Sequence, residues 1–204
     1  VITVCKVAGA QNILEITQEK FVTNTSKQDA QNYCWNIPIK IICANGKTIE
    51  FLLETKSMKV MLDDDMGEKN WCKINPDLTG FYRVHYKDAE LINNFLYKAV
   101  QDKSISVIDR LGILDDMFTL AQTGKAHTVD VLRFVGVFKE KEDSLAVWST
   151  IDDWILKLQT ILAGKVGIFE TCFKPFVINL MIDIFNKLGW EKVDGEVHSN
   201  TLLR

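Results

Sequence analysis

The chain of 204 residues is 47 % hydrophobic and 25 % charged, an ordinary globular balance that leaves room for one large domain or two small ones. Its net charge of −3 offers no broad basic field, which argues against nucleic acid as a partner. No apolar run approaches the ~20 residues needed to cross a bilayer, so no membrane span is expected.

Short β-branched runs open the chain: Ile2, Val4 and Val7, then Ile13, Leu14 and Ile16, separated by Ala8-Gly-Ala10. Apolar residues then alternate over 33–44 (Trp35, Ile37, Ile39, Ile41, Cys43) and again over 48–54 (Ile49, Phe51, Leu53). Asn45-Gly46 between these runs predicts a hairpin, because a type I′ turn needs positive φ at both central residues. Pro38 cannot donate to a ladder and is expected at an edge or bulge. Runs at 59–62, 71–75 and 80–86 complete about seven strands, which predicts a sandwich of two sheets. In the last run Phe81, Arg83 and His85 are expected on one face, and Tyr82, Val84 and Tyr86 on the other.

The period lengthens after Tyr86. Leu91, Phe95, Leu96 and Val100 recur at helical spacing, and Val107, Leu111, Leu114, Phe118 and Ala121 step by four and three up to a capping Gly124. A further helix opens at Thr128-Val-Asp-Val131, with Leu132, Val135 and Phe138 inward. Val147, Ile151, Ile155, Leu158 and Leu162 form the next stripe, ending near Gly164; 169–188 form another, stopped by Gly189. Asp194-Gly-Glu-Val-His198 opens a last helix. Strands followed by helices argue against a parallel α/β fold. They predict an all-β domain, an immunoglobulin-like β-sandwich over 1–88, followed by an all-α domain, the opening of an armadillo- or HEAT-like array, over 89–204.

Candidate chemistry is sparse. The five cysteines form no C-x-x-C pair and so no zinc ribbon; they read as reduced, mostly buried thiols of a cytoplasmic protein, with a Cys34–Cys43 or Cys5–Cys72 disulfide as the alternative. Asn24-Thr-Ser26 is a formal glycosylation sequon in a polar stretch. His85, His127 and His198 are the only histidines, and no two share a helical turn, so each reads as structural. Carboxylate pairs can divide acid and base roles, but Asp63-Asp-Asp65, Asp115-Asp116 and Asp152-Asp153 read as a turn and as helix faces. Asp63-Asp-Asp65 also lacks the alternating oxygen ligands of a calcium loop. Asp109-Arg110 starts a helix, and Arg110 is expected to bridge to Asp115 or to the sandwich in a structural ion pair. There is no G-x-S-x-G, G-x-G-x-x-G or P-loop, and Gly164-Lys-Val-Gly167 lacks the strand before it and the Lys-Ser/Thr after it.

Several segments carry a resemblance in one order. They are Gln18-Glu-Lys-Phe21; Trp35-x-Ile-Pro-Ile39; Trp71-x-Lys-x-Asn75 with Gly80-Phe-Tyr-Arg-Val-x-Tyr86; and Asp109-Arg-Leu-Gly112 with Asp116, Phe118 and Leu120-Ala121. Val147-Trp-Ser149, Lys187-Leu-Gly-Trp190, Gly195-Glu-x-His198 and Leu202-Leu-Arg204 follow. Together they resemble the zinc aminopeptidases of the puromycin-sensitive type over essentially the whole chain. The resemblance implies a parent enzyme that removes N-terminal residues from peptides, in which zinc-bound water attacks and a Glu acts as general base. It also implies a catalytic domain before the sandwich and a helical cap after it. The family's H-E-x-x-H is not among these 204 residues. Ala8-Gly-Ala-Gln-Asn12 superficially resembles the family's Gly-Ala-Met-Glu-Asn segment but lacks its Glu, and reads as a turn.

No catalytic, cofactor-binding or metal residue is therefore assigned: zinc is implied for the parent and none for this portion. The expected partners are the upstream catalytic domain, the remaining helical domain, the parent's peptide substrates, and a second copy of the chain through its open helical end. Val1 starts directly in strand-like sequence, so more polypeptide is expected before it. The alternative is a non-enzymatic module that binds proteins or peptides.

Overall fold

The computed structural model describes residues 1–9, 12–23, 33–62 and 71–204. Asn24-Thr-Ser26 and Asp63-Asp-Asp65 lie outside the described residues. Two compact units are present, Val1–Val131 and Leu132–Arg204.

The first unit is built on seven strands: β1 (Ile2–Lys6), β2 (Ile13–Gln18), β3 (Ile37–Cys43), β4 (Thr48–Leu53), β5 (Ser57–Met61), β6 (Cys72–Ile74) and β7 (Val84–Tyr86). They form two sheets, β5-β2-β1-β7 and β4-β3-β6. All pairings are antiparallel except β1 with β7. The sandwich followed by helices is the architecture expected from the two periods. Alternation explains the core: Ile2, Val4, Leu14 and Ile16 from one sheet and Ile39, Ile41, Leu53 and Ile74 from the other are all fully buried. Each such side chain contributes about 1.5–3 kcal/mol.

The hairpin at Asn45-Gly46 forms, but not on the expected type I′ turn: of the two residues only Gly46 has positive φ, and Cys43 N donates to Lys47 O at 2.9 Å across a three-residue loop. Gly46 has φ +81°, a left-handed value that glycine adopts without steric cost, and Asn45 Oδ1 accepts from Lys47 N at 2.9 Å. Pro38 sits on the middle strand of its sheet, yet it respects the rule behind the expectation. β6 pairs with β3 only at Ile41, Ile42 and Cys43, so Pro38 lies beyond the end of that partner. Its missing N–H costs no ladder bond.

The run at 80–86 is shorter as a strand than expected. Only Val84–Tyr86 pairs, while Asn75 (φ +59°), Asp77 (φ +52°) and Leu78 (φ +54°) take left-handed backbone. That turn carries the chain from one sheet to the other, so β6 and β7 are not a hairpin. Phe81 is consequently not on a strand face with Arg83 and His85, and it stands fully exposed. The Asn75 side chain holds the turn: its Oδ1 accepts from Gly80 N at 2.7 Å, and its Nδ2 donates to the carbonyls of Gly80 at 2.9 Å and Tyr82 at 3.3 Å.

The first helical segment runs from α1 (Ala89–Leu91) through a π-helical stretch, Ile92–Tyr97, into α2 (Lys98–Gln101). α3 (Val107–Gln122) is N-capped by Ser106, whose hydroxyl accepts from Asp109 N at 3.1 Å. Such a cap satisfies one of the orphan donors of the first turn. α3 ends just before Gly124, as its sequence predicts.

In the second unit Phe134 and Phe138 meet edge to face at 5.9 Å between centroids. They stand at the end of α4 (Thr128–Val135) and in the tight turn after it. α5 (Leu145–Leu162) buries Val147, Trp148, Ile151 and Ile155, while Leu158 and Leu162 of the expected stripe are half-buried. α6 (Val166–Ile168) passes through a π-helical stretch, Phe169–Phe173, into α7 (Lys174–Leu188), which stops at Gly189 with φ +65°. The last helix is α8 (His198–Leu203). Among the described residues no helix is long and apolar enough to cross a membrane.

Candidate functional site

Two of the segments that carried the resemblance, 71–86 and 109–121, meet where the sandwich meets α3. Lys73, on β6, is almost completely buried. Its ammonium donates to the carbonyls of Ile74 at 2.6 Å and Asn75 at 3.1 Å, and lies 3.5 Å from Asp109 Oδ1. Burial pulls the Lys73 pKa down, and the charge of Asp109 opposes that. Asp109 has three further tasks: Oδ1 accepts from Asp77 N at 2.9 Å, Oδ2 accepts from Ser106 Oγ at 3.2 Å, and its own N–H goes to the Ser106 cap. One carboxylate thus joins β6, the left-handed turn and the start of α3.

A second clamp lies two turns along α3. Arg83 Nη1 donates to Asp115 Oδ2 at 2.7 Å and to Asp116 Oδ1 at 3.0 Å, while its guanidinium stacks over the Phe21 ring at 5.6 Å. Asp116 Oδ2 accepts from Val84 N at 2.8 Å. Adjacent helix positions diverge by ~100°, and accordingly Asp115 is exposed whereas Asp116 is buried. Gly112 lies between the clamps, and a Cβ there would sit 2.3 Å from Leu78 Cδ2, so the absence of a side chain lets α3 approach the turn closely. Tyr86 completes the junction from below, its buried hydroxyl accepting from Ile74 N at 2.9 Å.

Burial pushes the Asp116 carboxyl up to about 6, from an ordinary 3.8, against the opposing Val84 hydrogen bond and Arg83 charge. A pKa higher in the folded than in the unfolded state means that folding favours the protonated form. This group's contribution is full below pH ~4 and is lost as pH rises through about 6. Over that window it amounts to about 3 kcal/mol. Asp116→Asn is therefore expected to flatten the fall in stability between pH 4 and pH 6 in urea titrations at fixed pH. Parallel curves for the two proteins would refute this.

The structure separates the other flagged residues. Arg110 Nη1 donates to Ile105 O at 2.9 Å, and Lys73 and Arg83 make ion pairs from the sandwich to α3. Asp152 and Asp153 are both exposed on α5. Ala8-Gly9 is a turn, with Gly9 at φ +77°; residues 10–11 lie outside the described set. Gly164-Lys-Val-Gly167 joins α5 to α6. His85 and His127 line a cleft of about 280 Å³ between β7 and the loop after α3, and burial lowers the His85 pKa. His198 begins α8 in the second unit. Nearby, Glu196 and Arg204, from the last two resemblance segments, form a two-point pair. Arg204 Nη2 donates to Oε2 at 2.7 Å and Nη1 to Oε1 at 2.9 Å, and these bonds hold the Glu196 carboxyl down at about 2.

None of the five cysteines is in a disulfide, so neither alternative is made, but only Cys43 and Cys72 are buried, against the expectation of mostly buried thiols; the register of β3 on β6 sets Cys43 opposite Cys72. Among the described residues no three His, Cys, Asp or Glu side chains gather as a metal-ligand group. The zinc implied by the resemblance therefore has no fitting ligand set there, and no step of zinc chemistry is derived from them.

The chain is 32 % identical over 204 residues to Aminopeptidase M1 of Arabidopsis thaliana, which covers 94 % of this chain and 22 % of that protein. It is 30 % identical over 200 residues to Aminopeptidase M1-B of Oryza sativa, with the same coverage of 94 % and 22 %. Against Puromycin-sensitive aminopeptidase of Caenorhabditis elegans it is 28 % identical over 201 residues, covering 96 % of this chain and 20 % of the relative. The chain thus spans about a fifth of the length of these relatives. The family model described as ERAP1-like C-terminal domain matches residues 71–204, from the first residue of the Trp71-x-Lys-x-Asn75 segment to the end. The chain belongs to the ERAP1-like C-terminal domain family.

Proposed function

We propose that this chain is a non-catalytic portion of a zinc-dependent aminopeptidase, a peptide hydrolase that removes N-terminal residues. In this reading 1–88 is a sandwich domain that joins a catalytic domain to a helical cap beginning at 89, and the junction at Asp109 and Asp116 holds α3, the first long helix of that cap, against the sandwich. That attachment influences how peptides reach the active site. The observation that carries the reading is the match to aminopeptidases of two plants and a nematode along 94–96 % of the chain. The free thiols of Cys5, Cys34, Cys43, Cys72 and Cys172 fit a reducing compartment such as the cytoplasm.

Exposed apolar side chains support a second copy of the chain as partner. Ile161, Val166, Ile168, Trp190, Val193 and Val197 are all exposed in the second unit. Burial of such side chains favours association.

One preparation tests both statements. The purified chain, assayed on aminoacyl fluorogenic amides with and without zinc, is expected to show no turnover and to sediment as more than a monomer. In the parent polypeptide, Arg83→Ala is expected to raise KM for long peptides several-fold while leaving dipeptide amides unchanged. Chelator-sensitive turnover by the chain alone would overturn the non-catalytic reading. Equal effects of Arg83→Ala on long and short substrates would overturn the role in access.

A further inference from the structure

Cys43 and Cys72 belong to neither clamp, yet they face each other inside the sandwich. Both are buried, at 2 % and 0 % exposure, and neither is in a disulfide. The neighbouring backbone bonds define their rung. Ala44 N donates to Trp71 O and Asn75 N to Lys40 O, each at 2.9 Å, while Cys43 N turns away to Lys47 O at 2.9 Å. The Cys43–Cys72 rung therefore has no mutual backbone hydrogen bonds. That is the closer of the two antiparallel kinds, with Cα atoms about 4.5 Å apart and both side chains on one face. A disulfide needs Cα atoms about 4.4–6.8 Å apart, so the bond forms with little movement of either strand.

We propose that Cys43 and Cys72 are a redox-modification site, a dithiol that a small disulfide such as oxidised glutathione converts into a cross-strand disulfide. One cysteine thiolate attacks a sulfur of oxidised glutathione, giving a mixed disulfide and releasing one glutathione thiolate. The second cysteine, as thiolate, attacks the protein sulfur of that mixed disulfide and expels the second glutathione. Two thiol protons are lost, the protein pair gives up two electrons, and the glutathione disulfide takes them up.

Access sets the rate. Burial, and then the neighbouring Cys43, raises the Cys72 pKa well above the usual thiol value, so the closed rung resists attack. β6 is an outer strand of its sheet, but all three of its residues are buried, so exchange proceeds only through the fraction of molecules in which the strand transiently opens. Oxidation would tie β3 covalently to the strand that carries Lys73, and so to the Asp109 clamp.

The folded chain is to be incubated with oxidised glutathione, digested without reductant and mapped by mass spectrometry. The expected product is a peptide pair joined through Cys43 and Cys72. It should be accompanied by a rise of about 5–10 °C in the melting midpoint, reversed by dithiothreitol. Cys5→Ser, Cys34→Ser and Cys172→Ser should keep the rise, and Cys43→Ser or Cys72→Ser should abolish it. Should those last two variants fail to fold, the linkage map of the unmodified sequence decides alone. Glutathione on Cys5, Cys34 or Cys172 with Cys43 and Cys72 still alkylatable after denaturation would overturn the proposal, as would a Cys43–Cys72 link that forms only in denaturant.

Discussion

Asp109→Ala is expected to destabilise the first unit by about 3–5 kcal/mol, the usual cost of leaving one partner of a buried ion pair without its counter-charge. Lys73 is 3 % exposed and Asp109 is 4 % exposed, so the ammonium stranded by the substitution has little access to water. The same change orphans Asp77 N, which donates to the lost carboxylate at 2.9 Å. Asp109→Asn keeps an acceptor for Asp77 and should cost less. A double-mutant cycle separates charge from packing: in Lys73→Met with Asp109→Ala the buried charge is gone, and the combined loss should fall well short of the sum of the singles. Urea unfolding measures all three. Additive losses would mean that the 3.5 Å approach carries no coupling.

The second large effect is expected at Gln18, the last residue of β2. Gln18→Ala should cost about 2–4 kcal/mol, because its amide bonds to backbone groups of the segments that lead into and out of the opposite sheet. Nε2 donates to Trp35 O at 2.7 Å and Thr55 O at 2.9 Å, and Oε1 accepts from Trp35 N at 2.8 Å. Gln18 itself is 4 % exposed. A buried polar group that loses its partner costs about 1–3 kcal/mol, and here several lose theirs at once. Gln18→Glu keeps the acceptor for Trp35 but turns a donor toward two carbonyls into a second acceptor, and should be no milder than alanine. Thermal unfolding of the three proteins checks the order. A loss below about 0.5 kcal/mol for alanine, the size of an ordinary surface change, would show that water replaces the amide.

Local chemistry was legible in the sequence; distant pairing was not. The Asn45-Gly46 hairpin and the stops at Gly124 and Gly189 are decided within a few residues, and the structure forms them where the residues predict. The left-handed turn could have been found, since Asn75-Pro-Asp-Leu-Thr-Gly80 has the composition of one. The alternation of Tyr82, Val84 and Tyr86 outweighed that signal and stretched β7 to Gly80. Lys73 with Asp109 was beyond reach for a different reason. A lysine in a strand reads as solvent-facing, and its burial depends on a carboxylate 36 positions away (109 minus 73) that arrives on a helix. The facing thiols show the same limit. Cysteine spacing suggested Cys34–Cys43 or Cys5–Cys72, but only the register of β3 on β6 brings Cys43 to Cys72.

The bond from Val84 to Asp116 bears on how the molecule stays separate from its neighbours. β7 is the outermost strand of its sheet, and its inner side is occupied by β1, with Ile2 N donating to Arg83 O and Lys87 N to Val4 O. Val84 N therefore points away from the sheet, in the place where an incoming strand would make its first contact. Bare edges of this kind template strand addition and aggregation. The Asp116 carboxylate fills that place at 2.8 Å, carried there by α3. The residue that anchors the helix thus also closes the sheet against a foreign strand.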